Sequence, residues 1–384
     1  MPRGLRTFAR ILSEVESAVD WVRFRRRSGG PFRIVPYRGH GTTETLYVRG
    51  RVLEGTPIPP ASEHDTAWRN LANTLRRLET DEVPAARVLA RAGEATAETL
   101  ADEEGYFEFE LDAHTFTGGK EVWRAVKLEL LDPLHKEGHP TTAVAHVLVP
   151  PEQSRFGVIS DIDDTVVKTD VTNLLRMLRL VFLTNARTRL PFEGVAAFYR
   201  ALHRGDAGDT TNPIFYVSSS PWNLYDLLHE VFEVHGIPAG PLFLKDYGIA
   251  REVLLSLGHR EHKLRSIEHI LETHPGLPFV LVGDSGQQDP EIYLEVARRY
   301  PGRIKVVYIR EVAVSTDRDQ ELRAIATEIA GLGVDMVLAA DTVTAARHAL
   351  SLDLIDEESL VEVVGEKSRE AGRPGPLESV VKKG

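Results

Sequence analysis

The sequence predicts a two-domain protein in which a β-sandwich precedes an α/β domain built on a parallel sheet. The chain has 384 residues, which is more than one ordinary small domain contains. Residues 31–150 consist of short alternating segments, whereas from residue 151 onwards continuous apolar runs alternate with helical segments. We therefore assign residues 31–150 to the sandwich and residues 151–350 to the α/β domain.

Both ends of the chain are predicted to lie outside these two domains. Residues 1–30 predict an amphipathic helix, because Leu5, Phe8 and Leu12 open a series of apolar residues at steps of three and four. Packing on the body of the protein and contact with anionic lipid both stay open for this helix. Residues 351–384 are polar and contain Gly and Pro, which predicts a loose C-terminal tail.

The β-rich region is typical of an immunoglobulin-like module. Segments such as TLYVRGRVLEG, GYFEFELD and TTAVAHVLVP alternate or are rich in β-branched residues, and turn signals separate them. The histidines of this region do not show the spacing of metal ligands. We therefore predict no catalytic role for it.

The second domain is predicted to have helices on both faces of its parallel sheet. RFGVIS, PIFYVS, LPFVLVGD and RIKVVYIR are nearly continuous apolar runs, as expected of strands that are covered on both sides. Helical segments such as WNLYDLLHEVFEVH and DQELRAIATEIAGL separate the runs. Ligands of such sheets bind just beyond the carboxyl ends of the strands.

Composition argues against several classes of function. A net charge of −11 disfavours a nucleic-acid partner, which would need a broad basic surface. The chain has no cysteine, which excludes disulfides, thiolate metal sites and a cysteine nucleophile and suits a reducing cytosol. No apolar run approaches the ~20 residues of a membrane span, and the N-terminus lacks a signal-peptide core. We expect a cytoplasmic protein, and peripheral contact with the inner membrane face stays open.

Polar side chains gather where three of the predicted strands end, and Lys263 opens the helix before the last of these strands. Because neighbouring parallel strands end at the same edge of a sheet, we expect these groups to lie close together. They are Asp161, Asp163 and Thr165 after the first strand, Ser218 and Ser219 in the second, and Gly283, Asp284 and Asp289 after the third.

This set of residue types suits phosphoryl transfer. Crowded carboxylates repel each other, so a divalent cation is their natural counter-charge, and oxygen-only ligands favour Mg²⁺ over zinc. Ser218 and Lys263 can then hold a phosphoryl group, whose transfer depends mainly on positioning and charge neutralisation. One aspartate can attack phosphorus, and a second, two residues further on, can protonate the leaving oxygen. Each residue taken alone could cap a helix, form part of a turn or lie on the solvated surface. Their combination favours phosphoryl transfer.

The order DxDxT, strand serine, lysine and GDxxxxD resembles the haloacid dehalogenase (HAD) superfamily over about residues 155–345. The resemblance implies a Rossmann-like HAD fold in which Asp161 is the nucleophile and Asp163 the general acid/base. It implies that Mg²⁺ is bound by Asp161, Asp284 and the backbone carbonyl of Asp163. The resemblance also implies that Thr165, Ser218, Ser219 and Lys263 bind the phosphoryl group or the rest of the substrate. Gly283 and Asp289 would support the site, with Asp289 either behind the metal ligands or oriented toward Lys263.

SDIDDTVVKTD, YVSSSPWNLYDLL and VGDSGQQDPEIY look more closely like the catalytic domain of the actin-patch phosphatidate phosphatase family. The first of these blocks is also similar to the DxDxT site of lipins, although this chain has Asp164 where lipins have Gly. Both families remove phosphate from phosphatidate with Mg²⁺, which implies the same reaction here. The alternatives are the same chemistry on a soluble phosphoester or phosphoprotein, and a non-catalytic membrane adaptor that retains the fold.

The sequence next to the site bears on the substrate. Residues 166–212 leave room for two helices at most, which predicts a small or absent cap and an open site for a bulky substrate. Residues 172–183 form a broad apolar surface with Arg176 and Arg179 on one side, and either pack on the sheet or contact acyl chains at a membrane surface. Lys168 could help to bind an anionic headgroup. We therefore expect a phosphorylated substrate that is an anionic lipid.

Overall fold

The computed structural model describes residues 31–55, 81–114, 122–134, 140–162, 193–206, 211–245, 258–312 and 316–371. These residues divide into two compact units, one ending at Val149 and the other starting at Pro150. The helix predicted over residues 1–30 and the apolar segment 172–183 lie outside the described residues.

The first unit is a β-domain in which nine strands form one hydrogen-bonded sheet. The main path runs β1-β3-β2-β9-β8-β5-β6, and β4 and β7 also pair with β3. The pairing is antiparallel except between β2 and β9. The strands are β1 (Phe32–Pro36), β2 (Gly39–Gly41), β3 (Thr45–Glu54), β4 (Asp81–Glu82), β5 (Arg87–Ala92), β6 (Ala95–Leu100), β7 (Tyr106–Asp112), β8 (Trp123–Asp132) and β9 (Thr141–Leu148).

Alternation along the strands builds the core of the β-domain. In β7, Phe107, Phe109 and Leu111 are buried, whereas Glu108 and Glu110 are exposed. Side chains on successive residues of a strand point to opposite faces, so this sequence buries one face and solvates the other. The mainly antiparallel β-domain agrees with the sequence-based expectation, and its immunoglobulin-like layering stays a prediction.

The second unit contains a six-stranded sheet in the order β12-β11-β10-β13-β14-β15, and all five of its pairings are parallel. Its three central strands, β10, β11 and β13, are almost wholly buried, which explains their continuous apolar sequences, whereas the edge strand β15 is mostly half-buried. They are β10 (Gly157–Asp161), β11 (Ile214–Pro221), β12 (Leu242–Lys245), β13 (Phe279–Asp284), β14 (Ile304–Arg310) and β15 (Asp335–Ala339).

The described helices of this unit lie between or after these strands. They are α1 (Val195–Arg204), α2 (Tyr225–His235), α3 (His259–Thr273), α4 (Asp289–Arg299), α5 (Thr316–Gly331), α6 (Thr342–Ser351) and α7 (Glu357–Ala371), with a 3₁₀ turn at Trp222–Leu224. In the part of the chain that the structure describes, no helix combines the length and the apolar character needed to cross a bilayer.

The strand order places a crossover point at β10. The chain passes from β10 to β11 and β12 on one side, and then returns to β13 on the other side. At such a point the connections diverge and leave a crevice at the carboxyl ends of the strands. Asp161, the last residue of β10, and Asp284, the last residue of β13, lie at this crevice.

The prediction of a loose tail over residues 351–384 is wrong for its first part. Residues 357–371 form helix α7, and Leu354, Ile355 and Val363 are at most 1% exposed. A few apolar residues at suitable spacing are enough to dock a helix whose other residues are polar, which composition alone does not reveal. Residues 372–384 lie outside the described residues.

Candidate active site

Three buried aspartates meet at the carboxyl edge of the parallel sheet. Asp161 ends β10, Asp284 ends β13 and Asp289 opens α4. One carboxylate oxygen from each lies within 4.8 Å of those of the other two. Each of the three side chains is at most 1% exposed. Carboxylates this close and this dry repel each other unless positive charge balances them.

Lys263 supplies part of that positive charge. Its Nζ lies 2.6 Å from Asp161 Oδ1 and 2.7 Å from Asp289 Oδ1, and it donates to Gln287 Oε1 at 3.1 Å. Lys263 lies in the second turn of α3 and is only 3% exposed, so the helix delivers the ammonium into the aspartate cluster. A buried ammonium with two carboxylate partners is held in one position.

The turn after β13 fixes the other two carboxylates. Asp284 Oδ1 accepts hydrogen bonds from the backbone N–H groups of Gly286 at 2.6 Å and Gln287 at 3.0 Å. Asp289 Oδ2 accepts one from the backbone N–H of Asp284 at 3.2 Å. A side chain at Gly283 would block this arrangement, since its Cβ would lie 2.6 Å from Asp289 Oδ2. The sequence GDSGQQD is therefore a loop that orients two carboxylates.

The serines of β11 lie beside this cluster at the same sheet edge. Asp161 of β10 is in register with Val217, the residue before Ser218. Ser218 is fully buried, and its Oγ accepts a hydrogen bond from the backbone N–H of Ser220 at 2.9 Å. Its carbonyl oxygen lies 3.2 Å from His262 Nε2. The SSSP segment thus forms the end of a strand and the tight turn that follows it.

Burial keeps the surrounding side chains neutral. Burial lowers the pKa of His262, and the neighbouring ammonium groups of Lys245 and Lys263 lower it further. Burial also raises the pKa of Tyr293, with a smaller contribution from the negative charge of Asp289 and Asp161. The hydroxyl of Tyr293 donates to the carbonyl of Val282 at 2.8 Å. Both shifts favour the neutral forms of His262 and Tyr293.

The donor set fits a divalent, oxygen-loving cation. Three carboxylates against the single ammonium of Lys263 leave two negative charges within the cluster. The atoms available are carboxylate oxygens, which suits Mg²⁺ better than zinc. Asp161 and Asp284 are the residues that would hold it, because both carboxylate oxygens of Asp289 already have partners: Oδ1 contacts Lys263, and Oδ2 accepts from the Asp284 N–H.

The structure brings together most of the residues that the sequence singled out. Asp161, Lys263, Asp284 and Asp289 form the cluster, Gly283 allows its close packing, and Ser218 and Ser219 adjoin it. Asp163, Thr165 and Lys168 lie outside the described residues. The chemical roles assigned to all of these residues stay predictions.

Sequence reasoning missed further groups at the same edge. Arg310 ends β14 and is in register with Asp284, while Lys245 ends β12 and is 3% exposed. Both follow the rule that had identified the aspartates, because each is the polar residue that closes an apolar strand. Site residues were expected at the ends of β10, β11 and β13. Strands β12 and β14 also end in a polar group, at the crevice or beside it.

Comparison with known proteins identifies the segment that contains this cluster. Residues 156–311 match the family model described as the catalytic domain of phosphatidate phosphatase APP1. The match runs from just before β10 to just after β14, so it includes the three aspartates, Lys263 and Ser218.

Two fungal proteins are similar to part of the chain. It is 38% identical to phosphatidate phosphatase APP1 of Saccharomyces cerevisiae over 156 residues. This alignment covers 40% of this chain and 26% of the yeast protein. It is 29% identical to an uncharacterized protein of Schizosaccharomyces pombe over 163 residues. This alignment covers 42% of this chain and 26% of that protein. The chain thus spans about a quarter of the length of these curated relatives.

Among solved structures, a carbohydrate acetylesterase from Xanthomonas citri aligns over 87% of this chain and 74% of its own, with 11% identity and a TM-score of 0.28. An alignment at that TM-score supports no statement about the fold. The family match and the yeast relative confirm the resemblance predicted from the sequence motifs. Residues 156–311 are therefore similar to the catalytic domain of phosphatidate phosphatase APP1.

Proposed function

We propose that this protein is a Mg²⁺-dependent phosphatase that acts on phosphatidate or a related lipid phosphate through an aspartyl-phosphate intermediate. The observation that carries the proposal is the cluster of Asp161, Asp284 and Asp289 around Lys263 at the crossover point of the sheet. This cluster lies inside the segment that is similar to the yeast phosphatidate phosphatase.

Asp161 is the proposed nucleophile. Its carboxylate attacks phosphorus, the bond between phosphorus and the glycerol oxygen breaks, and Asp163 gives that oxygen a proton. Water, deprotonated by Asp163, then attacks phosphorus of the acyl phosphate and releases inorganic phosphate and free Asp161. The alcohol product of phosphatidate hydrolysis by this route is diacylglycerol.

The contact between Lys263 and Asp161 supports this assignment. An ammonium 2.6 Å from Asp161 Oδ1 favours the ionised carboxylate, which is the form that can attack. Lys263 also brings positive charge to the place where the phosphoryl oxygens would lie, together with Ser218. Mg²⁺ held by Asp161 and Asp284 would supply further charge neutralisation for the phosphoryl group.

The finer fold assignments belong to the same proposal. The all-parallel sheet with its crossover at β10 supports a Rossmann-like HAD fold for residues 151–350, and the mainly antiparallel first unit supports an immunoglobulin-like sandwich. A lipid phosphate lies at a membrane surface, so we place the activity at the cytoplasmic side of a membrane.

Phosphate release from phosphatidate in mixed micelles tests the function. We expect turnover with Mg²⁺, none with EDTA, and none from Asp161→Asn at any Mg²⁺ concentration. The matched control is Asp335→Asn, which changes an exposed aspartate at the start of β15. Turnover that survives in Asp161→Asn would refute the nucleophile, and turnover unaffected by EDTA would refute the metal requirement.

The same assay with soluble phosphoesters and phosphopeptides tests the second candidate within this chemistry. Turnover of those compounds without turnover of phosphatidate would replace the lipid substrate and keep the mechanism. A non-catalytic adaptor would bind liposomes and release phosphate from neither class. The assembled cluster speaks against an adaptor, because a binding module has no need for three buried carboxylates around a lysine.

A further inference from the structure

Arg318 of α5 contacts the loop that carries Asp284. It lies in the first turn of α5, and its side chain is 20% exposed. Its Nε donates to the carbonyl of Ser285 at 3.3 Å, and its Nη2 donates to the carbonyl of Gln287 at 2.8 Å. Because a guanidinium is planar and rigid, this contact fixes the two carbonyls of the loop relative to each other.

One of these carbonyls belongs to a peptide group that also binds Asp284. The carbonyl of Ser285 and the N–H of Gly286 are parts of the same planar peptide group, and in the trans form they point in opposite directions. The carbonyl accepts from Arg318, and the N–H donates to Asp284 Oδ1 at 2.6 Å. A hydrogen bond at the carbonyl also polarises the peptide group and strengthens the bond that its N–H makes. Arg318 therefore orients an N–H that holds the Asp284 carboxylate.

Two carboxylates hold the guanidinium in place. Glu291 of α4 accepts from Nη1 of Arg318 and, at 3.1 Å, from its Nη2, so the two groups form a bidentate pair. Glu321, three residues further along α5, accepts from Nη1 at 3.2 Å. A bidentate pair is stronger and more directional than a single contact. All the nitrogens of the guanidinium are thus engaged, and Arg318 joins α4, α5 and the loop.

This contact comes from outside the segment that is similar to the catalytic domain. The family match ends at residue 311, and α5 begins at Thr316. The loop has a second attachment at the end of β14. There the N–H of Ser285 donates to the carbonyl of Arg310 at 3.0 Å, and Ser285 Oγ accepts from the N–H of Val312 at 2.9 Å. The loop that orients Asp284 is therefore held by β14 and by Arg318 together.

We propose that Arg318 is a positioning residue for the metal site, which keeps Asp284 in the orientation that binds Mg²⁺ by fixing the peptide group between Ser285 and Gly286. The inference rests on the proposed Mg²⁺-dependent function and adds to it a residue of α5 on which the metal affinity depends. Replacing a residue that orients a metal ligand typically changes metal affinity or activity about 10–100-fold.

Calorimetric titration of the metal-free protein with Mg²⁺ tests this proposal, because it measures binding without turnover. We expect Arg318→Met to raise the dissociation constant at least about tenfold. Arg318→Lys keeps the charge, but its single nitrogen cannot bridge both carbonyls and Glu291, so the dissociation constant should rise by a smaller factor. Asp284→Asn should abolish the titration signal, which would show that the ion binds at the aspartate cluster.

Arg200→Met is the matched control. Arg200 of α1 is 30% exposed and donates to Glu362, to Glu366 and to the carbonyl of Gly236, so it also joins several elements. Its loss should lower the free energy of unfolding in urea, as the loss of Arg318 does, and leave the Mg²⁺ dissociation constant unchanged. An arginine with a purely structural role would behave like Arg200 in both measurements.

The outcomes separate the role of Arg318 from the proposed function. An unchanged Mg²⁺ dissociation constant in folded Arg318→Met, or in Arg318→Lys where the first variant does not fold, would overturn the role of Arg318 while phosphatase activity stands. Weaker Mg²⁺ binding in the variant, with no phosphate release from any substrate by the unaltered protein, would overturn the proposed function and leave the role of Arg318 in place. Absence of Mg²⁺ binding by the unaltered protein would overturn both the metal requirement and the role of Arg318.

Discussion

Lys263 and Asp161 form a buried ion pair, with Lys263 Nζ 2.6 Å from Asp161 Oδ1. Neither side chain is more than 3% exposed. The same ammonium also reaches Asp289 at 2.7 Å, so one cation serves two carboxylates. Removing one partner of a buried ion pair is costly, because the other charge stays in a dry environment without compensation.

Lys263→Met should therefore lower both the stability of the protein and its rate of phosphate release. We expect a loss of about 3–5 kcal/mol in the free energy of unfolding in the presence of EDTA, measured by urea titration. We expect phosphate release with Mg²⁺ to fall at least about a hundredfold, because a positive group at the phosphoryl site is lost.

Arg265→Met on the same helix is the control for that variant. Arg265 pairs with Glu261 at the surface, where an ion pair contributes less than about 1 kcal/mol. Equal stability losses in the two variants would show that the cluster around Lys263 is not held together by its charge.

Gly283→Ala should disturb the site without adding or removing a charge. The new methyl group would lie 2.6 Å from Asp289 Oδ2 and 2.9 Å from Tyr293 Cε2, so Asp289 would have to move away from Lys263. Overpacking of this kind typically costs about 1–3 kcal/mol. We expect that loss in urea unfolding and a parallel loss of phosphate release.

Gly276→Ala is the matched control, since a Cβ there would meet nothing within 4 Å. Its free energy of unfolding should stay within about 0.5 kcal/mol of the original value. A Gly283→Ala variant as stable and active as this control would contradict the close approach of Asp289 to β13.

The sequence could predict the candidate site because the site obeys a local rule. Asp161, Ser218 and Asp284 each lie at the end of a continuous apolar run, and such runs form parallel strands whose carboxyl ends meet. The position of Lys263 needed the resemblance as well, because a helix lysine carries no signal of its own. Only the fold shows that it reaches two aspartates.

What could not be predicted depends on contacts between residues far apart in the chain. Arg310 is recognisable as part of the site only once β14 is known to pair with β13 in a register that sets it beside Asp284. Helix α7 has a mostly polar sequence, and it docks through a few buried residues and through carboxylates that accept hydrogen bonds from α1. Neither the strand register nor the helix partner follows from composition or periodicity.

His274 should make stability depend on pH. Burial lowers the pKa of its imidazole from 6.5 to about 4, and His269 and Arg303 add to the shift. The unfolded chain therefore binds a proton at higher pH than the folded chain, and stability falls as pH falls from 6.5 towards 4. From pH 7 to pH 5 this residue alone should cost about 2 kcal/mol in the free energy of unfolding.

Urea unfolding of His274→Gln at the two pH values checks this expectation. Between pH 7 and pH 5, the free energy of unfolding of the variant should fall by about 2 kcal/mol less than that of the unaltered protein. His146→Gln, which changes an exposed histidine of β9, should keep the original pH dependence. Identical pH dependence of His274→Gln and the unaltered protein would show that His274 does not couple proton binding to folding.

Helix α7 caps helix α1 from the far end of the chain. The N-cap of α1, Gly194, has no side chain with which to cap the helix, and its φ is 75°. Glu370 Oε2 accepts a hydrogen bond from the Gly194 N–H at 2.7 Å, and Glu366 Oε1 accepts one from the Ala197 N–H at 2.9 Å. Residues 156–311 match the catalytic domain, so this cap comes from outside the matched segment.

Glu370→Ala should therefore cost about 1–2 kcal/mol in the free energy of unfolding, since a buried N–H at a helix start loses its acceptor. Glu370→Gln keeps an acceptor oxygen and should recover part of that loss. Val361→Ala, on the exposed side of α7, should leave the free energy of unfolding within about 0.5 kcal/mol of the original value.

Because α7 also buries Val363, a chain that ends at residue 356 should lose more stability than Glu370→Ala does. A truncated chain with unchanged urea unfolding and phosphate release would show that the matched segment needs no support from α7.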